Sequence, residues 1–249
     1  DGIVLDVKTG SGALMETLPD ALALAQTMVD IGKLAGKPVV AVITSMAQPL
    51  GTHIGNALEV KDAIDVLAGR TQGDLLEISL LLGSHMLVLA EKAKTLPEAR
   101  AMLENALSSG AGLRKLAEMI AAQGGDPRVV EDLSLLPQAA VKRVMRAETA
   151  GYLSAMDTTA LGMAAQRMGA GRAKKSDMLD YSVGYVLHVR LGDEVTEDTP
   201  LATLYARNEA EAEEAEKAIR KALTIAGEKP SVPPLWDAVV TAEGITYNR

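Results

Sequence analysis

Apolar residues open the chain in a strand-like run. Ile3, Val4, Leu5 and Val7 are apolar, and Lys8-Thr9-Gly10-Ser11-Gly12 breaks the run. Side chains alternate across a strand, so Asp6 and Lys8 share one face and Val7 lies on the other. Leu18-Pro19-Asp20 then opens a helix that extends to about Ala35, with Leu22, Ala25, Met28, Val29 and Ile31 as its apolar positions and Gly36 as its stop. Val39 to Ile43 is apolar and largely β-branched, a second strand covered on both faces. Strand, glycine loop, helix and apolar strand together predict a parallel βαβ unit.

Further along, Asn56 is expected to cap a helix over 57–67, and a long apolar helix is expected over 74–93. Leu96-Pro97-Glu98 starts another, with proline and glutamate both suited to a first turn. Gly110 and Gly112 interrupt it before 113–123 continues helical. Beyond Leu136-Pro137 the pattern changes to short strands around glycine turns. Strands are expected over 141–145, 151–156, 181–189 and 201–206, a helix over 157–168, and one charged helix over 209–226. The pattern predicts an α/β fold: a parallel or mixed sheet covered by helices, followed by a small β-rich (α+β) C-terminal subdomain. The expected division is 1–136 and 137–249.

Composition narrows the chemistry. Of 249 residues, 33 are acidic and 25 basic, a formal charge of -8, which argues against nucleic acid as a partner. The absence of Cys excludes disulfides, thiolate zinc sites and a cysteine nucleophile. Apolar runs are short and broken by charge, so no membrane partner is expected, and nothing at the start resembles a signal peptide. A cytoplasmic protein is expected. The chain begins Asp1-Gly2-Ile3 without Met and with a strand already under way, which sets the expectation that sequence precedes Asp1.

The local candidate for a site is Asp6, Lys8 and the Gly10-Ser11-Gly12 loop, at the end of a parallel strand where such sheets bind ligands. The glycines border an anion or sugar site, or simply make a tight turn; their spacing is neither a Walker loop nor a full dinucleotide fingerprint. His53, His85 and His188 are isolated in sequence, each an acid–base candidate or a packed histidine. Glu59 and Asp62, three apart on one helix face, could bind a hard cation or face water. Ser176, Asp177 and Tyr181 lack a nearby His and a G-x-S-x-G elbow, which sets a hydrolase triad aside.

Taken in order, Asp6-Val7-Lys8-Thr9-Gly10-Ser11-Gly12-Ala13-Leu14-Met15, Gly55-Asn56-Ala57-Leu58-Glu59-Val60, Tyr181-Ser182-Val183-Gly184 and Gly192-Asp193-Glu194-Val195 closely resemble the pyrimidine-nucleoside and thymidine phosphorylase family. The resemblance covers essentially the whole chain and is expected to represent only the C-terminal three-fifths of such an enzyme. It implies reversible phosphorolysis of uridine, thymidine or deoxyuridine, with phosphate as co-substrate, no organic cofactor and a homodimer as the working assembly. It places Asp6, Lys8, Gly10, Ser11, Gly12 and Leu14 in the substrate pocket, Leu14 standing where relatives usually carry Phe. It also implies a potassium-like cation site using the Leu50 carbonyl, the carbonyl of His53 and the side chain of Asp62. No catalytic residue is assigned, because the family's phosphate- and base-binding loops match positions before Asp1. On that ground the isolated chain is expected to be inactive. The Gly151–Ala206 region resembles the family's β-rich subdomain, similar in shape to biotinyl- or lipoyl-carrier folds, but no Lys stands at the Gly192-Asp193-Glu194 turn to carry a prosthetic group. A non-catalytic homologue and a generic α/β nucleotide-binding module are the competing classes.

Overall fold

A computed structural model describes residues 1–248. In chain order the elements are β1 (Ile3–Thr9), α1 (Leu18–Leu34), β2 (Val39–Ser45), β3 (His53–Ile54), α2 (Asn56–Leu67), α3 (Asp74–Leu89), α4 (Leu96–Ser108) and α5 (Ala111–Ala122). Two short 3-10 turns precede β4 (Val141–Arg146), β5 (Gly151–Met156), α6 (Thr158–Ala165), β6 (Gly184–Leu187), β7 (Glu194–Val195) and β8 (Pro200–Ala206). The chain ends with α7 (Glu209–Ala222), β9 (Leu223–Ala226), β10 (Trp236–Thr241) and β11 (Gly244–Tyr247). These elements form two compact units. The first takes residues 1–47, 68–112 and the segment from Pro233; the second takes 48–67 and 113–232.

The first unit is an α/β layer structure. Its mixed sheet runs β1-β2-β10-β11. β1 and β2 are parallel, Ile3 opposite Val39 through Thr9 opposite Ser45, and α1 is the crossover between them. β10 adds antiparallel to the free side of β2. β2 reads as an unbroken buried run because helices cover both of its faces. Val7, Ala41 and Ile43 pack under Ala21, Ala25 and Val29 of α1. Val40, Val42 and Val239 pack on the other face with Leu81, Leu82 and Leu89 of α3 and with Trp236. Each fully buried aliphatic side chain contributes roughly 1.5–3 kcal/mol relative to exposure. α1 approaches β2 closely at Gly32, where a Cβ would lie 2.2 Å from Val39 Cγ2.

The second unit is β-rich. Its sheets run β3-β6-β8-β4, all antiparallel, and β7-β5-β9. Met145, Leu153, Leu161, Tyr185, Leu187, Leu204 and Ile219 belong to its core, contributed by both sheets together with α6 and α7. Tyr185 is fully buried and donates its hydroxyl to the Leu161 carbonyl at 2.8 Å. β3 and β6 meet at two glycines: a Cβ on Gly55 would lie 2.4 Å from the Val183 oxygen, and one on Gly184 2.1 Å from the Ile54 oxygen.

An α/β domain with a mixed, helix-covered sheet, together with a β-rich region, is therefore the architecture. Several element expectations need correction. Residues 223–226 leave the expected long helix and pair with β5 as β9. α3 stops at Leu89, and Glu91 takes a positive φ of 55°. The strand expected over 181–189 shortens to Gly184–Leu187. α6 passes into a π turn over Gln166–Ala170, where Gly169 has φ 107°. Asn56 is the first helical residue of α2, and its amide donates to the Ala170 carbonyl instead of capping. The point 136/137 falls inside the second unit, while β10 and β11 join the sheet of the first. The physical reason is backbone pairing: β2 would otherwise leave a row of N–H and C=O groups open on that side.

Candidate functional site

The polar end of β1 is built by register. Val7 faces the α1 core, so alternation turns Asp6 and Lys8 toward the opposite face. On that face β2 carries Val40, Val42 and then Thr44, and Thr44 stands directly opposite Lys8. Lys8 Nζ lies 2.7 Å from Asp6 Oδ2 and donates to Thr44 Oγ1 at 2.8 Å. The Thr44 hydroxyl donates in turn to Asp6 Oδ1. Thr44 is fully buried, whereas the side chains of Asp6 and Lys8 stay 24% and 29% exposed. The result is a closed triangle of carboxylate, ammonium and hydroxyl, neutral as a group, with its charged members open to solvent. Thr44 is the member that pattern reading missed; its signal is a polar residue closing an otherwise apolar strand, opposite a lysine.

The loop after β1 folds back on itself. Gly10 N–H donates to the Glu16 carbonyl at 3.1 Å, Thr9 Oγ1 to the same oxygen at 3.2 Å, and Ala13 N–H to the Gly10 carbonyl at 3.1 Å. Gly10 and Gly12 have φ of 102° and 81°, conformations that favour glycine. The first turn of α1 begins beyond this loop, and Thr17 accepts from its Asp20 N–H. A dinucleotide-type loop would instead present such N–H groups to phosphate, so the generic nucleotide module loses its structural basis. Ser11 is exposed, and Leu14 is 86% exposed.

The second group of candidate residues lies in the second unit. Asp62 of α2 is 3% exposed, and its Oδ1 is 3.4 Å from His53 Nδ1. His53 Nε2 faces Lys61 Nζ at 3.4 Å, and Thr52 Oγ1 is 3.0 Å from Nδ1. Burial pushes the His53 imidazole below its usual range, against the opposing pull of Asp62. Glu59 does not join Asp62; its Oε1 accepts the Gly55 N–H at 3.2 Å. Leu187 N–H donates to the Thr52 carbonyl at 2.8 Å, so His53 and Val186 form the pair without mutual backbone bonds, and the His53 carbonyl points away from β6. Arg190, also missed by pattern reading, donates to the Pro49 carbonyl at 2.7 Å and reaches the Leu50 carbonyl at 3.5 Å. A buried carboxylate and an outward carbonyl fit a hard cation; Leu50 fits less well, because a guanidinium already shares its oxygen.

The other titratable candidates do not converge. His188 Nε2 is 2.7 Å from Thr203 Oγ1, and burial lowers its titration range. His85, on α3, is buried, and among the described residues its Nε2 has no hydrogen-bond partner. Asp177 accepts the backbone N–H groups of Ala173 and Lys174, a turn role and not that of a triad acid. Among the described residues no three His, Asp or Glu side chains gather as a metal cluster, and no helix is long and apolar enough to cross a membrane.

Comparison with known proteins finds two family profiles along the chain. The profile described as the glycosyl transferase family a/b domain matches residues 1–113, and the profile of the pyrimidine nucleoside phosphorylase C-terminal domain matches 152–226. The pyrimidine-nucleoside phosphorylase of Geobacillus stearothermophilus is 51% identical over 209 residues, covering 84% of this chain and 48% of the relative. That of Staphylococcus aureus strain USA300 is 46% identical over 241 residues, 97% of this chain and 55% of the relative. Over most of its length the chain is similar to pyrimidine-nucleoside phosphorylases. The Bacillus subtilis strain 168 relative matches to the same extent as the Geobacillus protein, 51% over 209 residues. The chain spans about half the length of the curated relatives it matches. The expectation of a C-terminal part only is corrected here: the α/β-domain profile matches β1 through α4 in addition to the C-terminal-domain match, so both domain types of the family are present.

Proposed function

We propose that the protein catalyses reversible phosphorolysis of pyrimidine nucleosides, acting on uridine, thymidine and deoxyuridine and releasing free base and (deoxy)ribose 1-phosphate. A phosphate oxygen forms the new bond to the anomeric carbon. The glycosidic C–N bond breaks, its electron pair leaves with the base, and the base nitrogen is protonated. Such a reaction needs no covalent enzyme intermediate and depends on positioning and electrostatics. The observation that carries the reading is the Asp6–Lys8–Thr44 triangle at the end of a parallel strand pair, in the segment matched by the family's a/b domain. In this reading Lys8 and Asp6 border the sugar or phosphate, with Gly10, Ser11, Gly12 and Leu14 forming the loop beside them. The protein acts in the cytoplasm as a homodimer. A potassium-like cation would be held by the Leu50 and His53 carbonyls and the Asp62 carboxylate, supplying fixed positive charge that ties the loop before β3 to α2.

The test is free-base release from uridine or thymidine with phosphate, measured on the protein as its own gene encodes it. Lys8→Ala should lower kcat/KM by about a hundredfold, with little change in unfolding midpoint. Unchanged kcat/KM in the variant would remove the strand end from the site. No base release by the parent protein would reject the phosphorylase reading.

A further inference from the structure

A lysine ammonium has three N–H donors in tetrahedral array. Lys8 directs one to Asp6 Oδ2 at 2.7 Å and one to Thr44 Oγ1 at 2.8 Å. Among the described residues nothing takes the third. Two fixed bonds on a tetrahedral nitrogen set the direction of the remaining one, and a flexible four-carbon stem cannot do so by itself. Thr44 is well placed to fix that direction. It is fully buried, stands in register with Lys8, and uses its own hydrogen on Asp6 Oδ1, which leaves its lone pairs for the ammonium. Because Asp6 offsets the charge of Lys8, the ammonium contributes through direction more than through bare attraction for anions.

We infer that Thr44 is a positioning residue for the reaction. Its hydroxyl holds Lys8 so that one N–H is aimed at an oxygen of the bound reactants, either a sugar hydroxyl or a phosphate oxygen. This inference rests on the phosphorolytic reading above. The hydroxyl, and not the bulk or strand preference of the residue, carries the role; valine has nearly the same shape and is equally at home in a strand.

A double-mutant cycle on the full protein tests it, with Lys8→Ala, Thr44→Val and both together, assayed for base release while nucleoside and phosphate are varied in turn. Thr44→Val should lower kcat/KM by about tenfold to a hundredfold, cost nothing further once Lys8 is alanine, and be largely restored by Thr44→Ser. Lys8→Ala and Thr44→Val should raise the same KM, for nucleoside if the acceptor is the sugar and for phosphate if it is the phosphate. An equal loss from Thr44→Val in both backgrounds, changes in different KM values, or no restoration by serine would overturn the inference and leave Thr44 a structural residue. If Lys8→Ala alone changes nothing, the functional reading of the strand end fails. If Lys8→Ala is impaired and Thr44→Val is not, that reading stands and only the role of Thr44 falls. Thr44→Ala replaces the valine variant in the same cycle should the latter not fold.

Discussion

The strand end of the first unit and the core of the second handle polar groups in opposite ways. In the second unit polar groups are used internally: buried Tyr185 donates to Leu161, buried Thr203 meets the exposed His188, and half-buried Asn56 donates to Ala170. At the end of β1, Asp6, Lys8 and Thr44 satisfy one another and still leave an ammonium donor directed outward. Burial alone would not separate these regions, since Thr44 and Tyr185 are both fully buried. Counting donors and acceptors does: a scaffold pairs its polar groups with one another, whereas a site keeps one group in reserve.

The largest expected effect breaks the scaffold without touching the site. Leu204 is fully buried in the second unit's core, and Leu204→Ala should cost about 2–5 kcal/mol through lost transfer energy and a residual cavity. The single tryptophan, Trp236, belongs to the first unit and gives that unit its own fluorescent reporter. Far-UV circular dichroism should show part of the unfolding transition moving to lower denaturant while the Trp236 midpoint stays in place. Equal movement of both signals would mean that the two units do not unfold separately.

The same contrast explains what could be read from the chain. Alternation alone placed Asp6 and Lys8 on one face, and the β-branched run of β2 required helices on both sides of the sheet; both hold in the structure. Thr44 escaped because its meaning depends on which residue lies across the strand pair, and register is not written in either strand separately. The helix expected over 209–226 ran four residues too far for a related reason. Leu223–Ala226 continues the local pattern but finds a partner in β5, and that pairing overrides propensity. Trp236–Thr241 had no assigned place because its neighbour, β2, lies nearly two hundred residues earlier in the chain.

Acidification probes the first unit by a different route. His85 is buried, its Nε2 has no hydrogen-bond partner among the described residues, and desolvation lowers its titration below the ordinary value near 6.5. The native state therefore binds the proton less readily than the unfolded chain. Stability from the neutral imidazole is fully present above pH 6.5 and is lost as pH falls from there toward the depressed native value. The Trp236 denaturation midpoint should fall between pH 7.5 and pH 5, before most carboxylates titrate. His85→Leu should flatten that slope. An unchanged slope in the variant would assign the acid sensitivity to other groups.

Helix caps offer the smallest and most closely matched perturbation of the two units. In the first, Thr17 accepts the Asp20 N–H at the start of α1 at 3.3 Å and donates its hydroxyl to the Asp20 carboxylate. In the second, Asn208 Oδ1 accepts the Glu211 N–H at the start of α7 at 2.9 Å. Alanine at either position leaves one helical N–H without its side-chain acceptor, typically at a cost of about 1 kcal/mol. Thr17→Ala should therefore move the Trp236 signal and Asn208→Ala the circular-dichroism component that Trp236 does not follow. The asparagine bond is shorter, and the helix it starts carries Glu209 and Glu211 in its first turn, near the positive end of the dipole. Those carboxylates favour the helix start whether or not the cap is present, so removing Asn208 should not unfold α7 outright. Its loss should appear as a shift of the midpoint with an unchanged denaturant slope, because the surface exposed on unfolding is the same. A changed slope would mean that α7 frays in the native state when uncapped, and that the second unit's internal polar pairing depends on a surface asparagine as much as on its buried core.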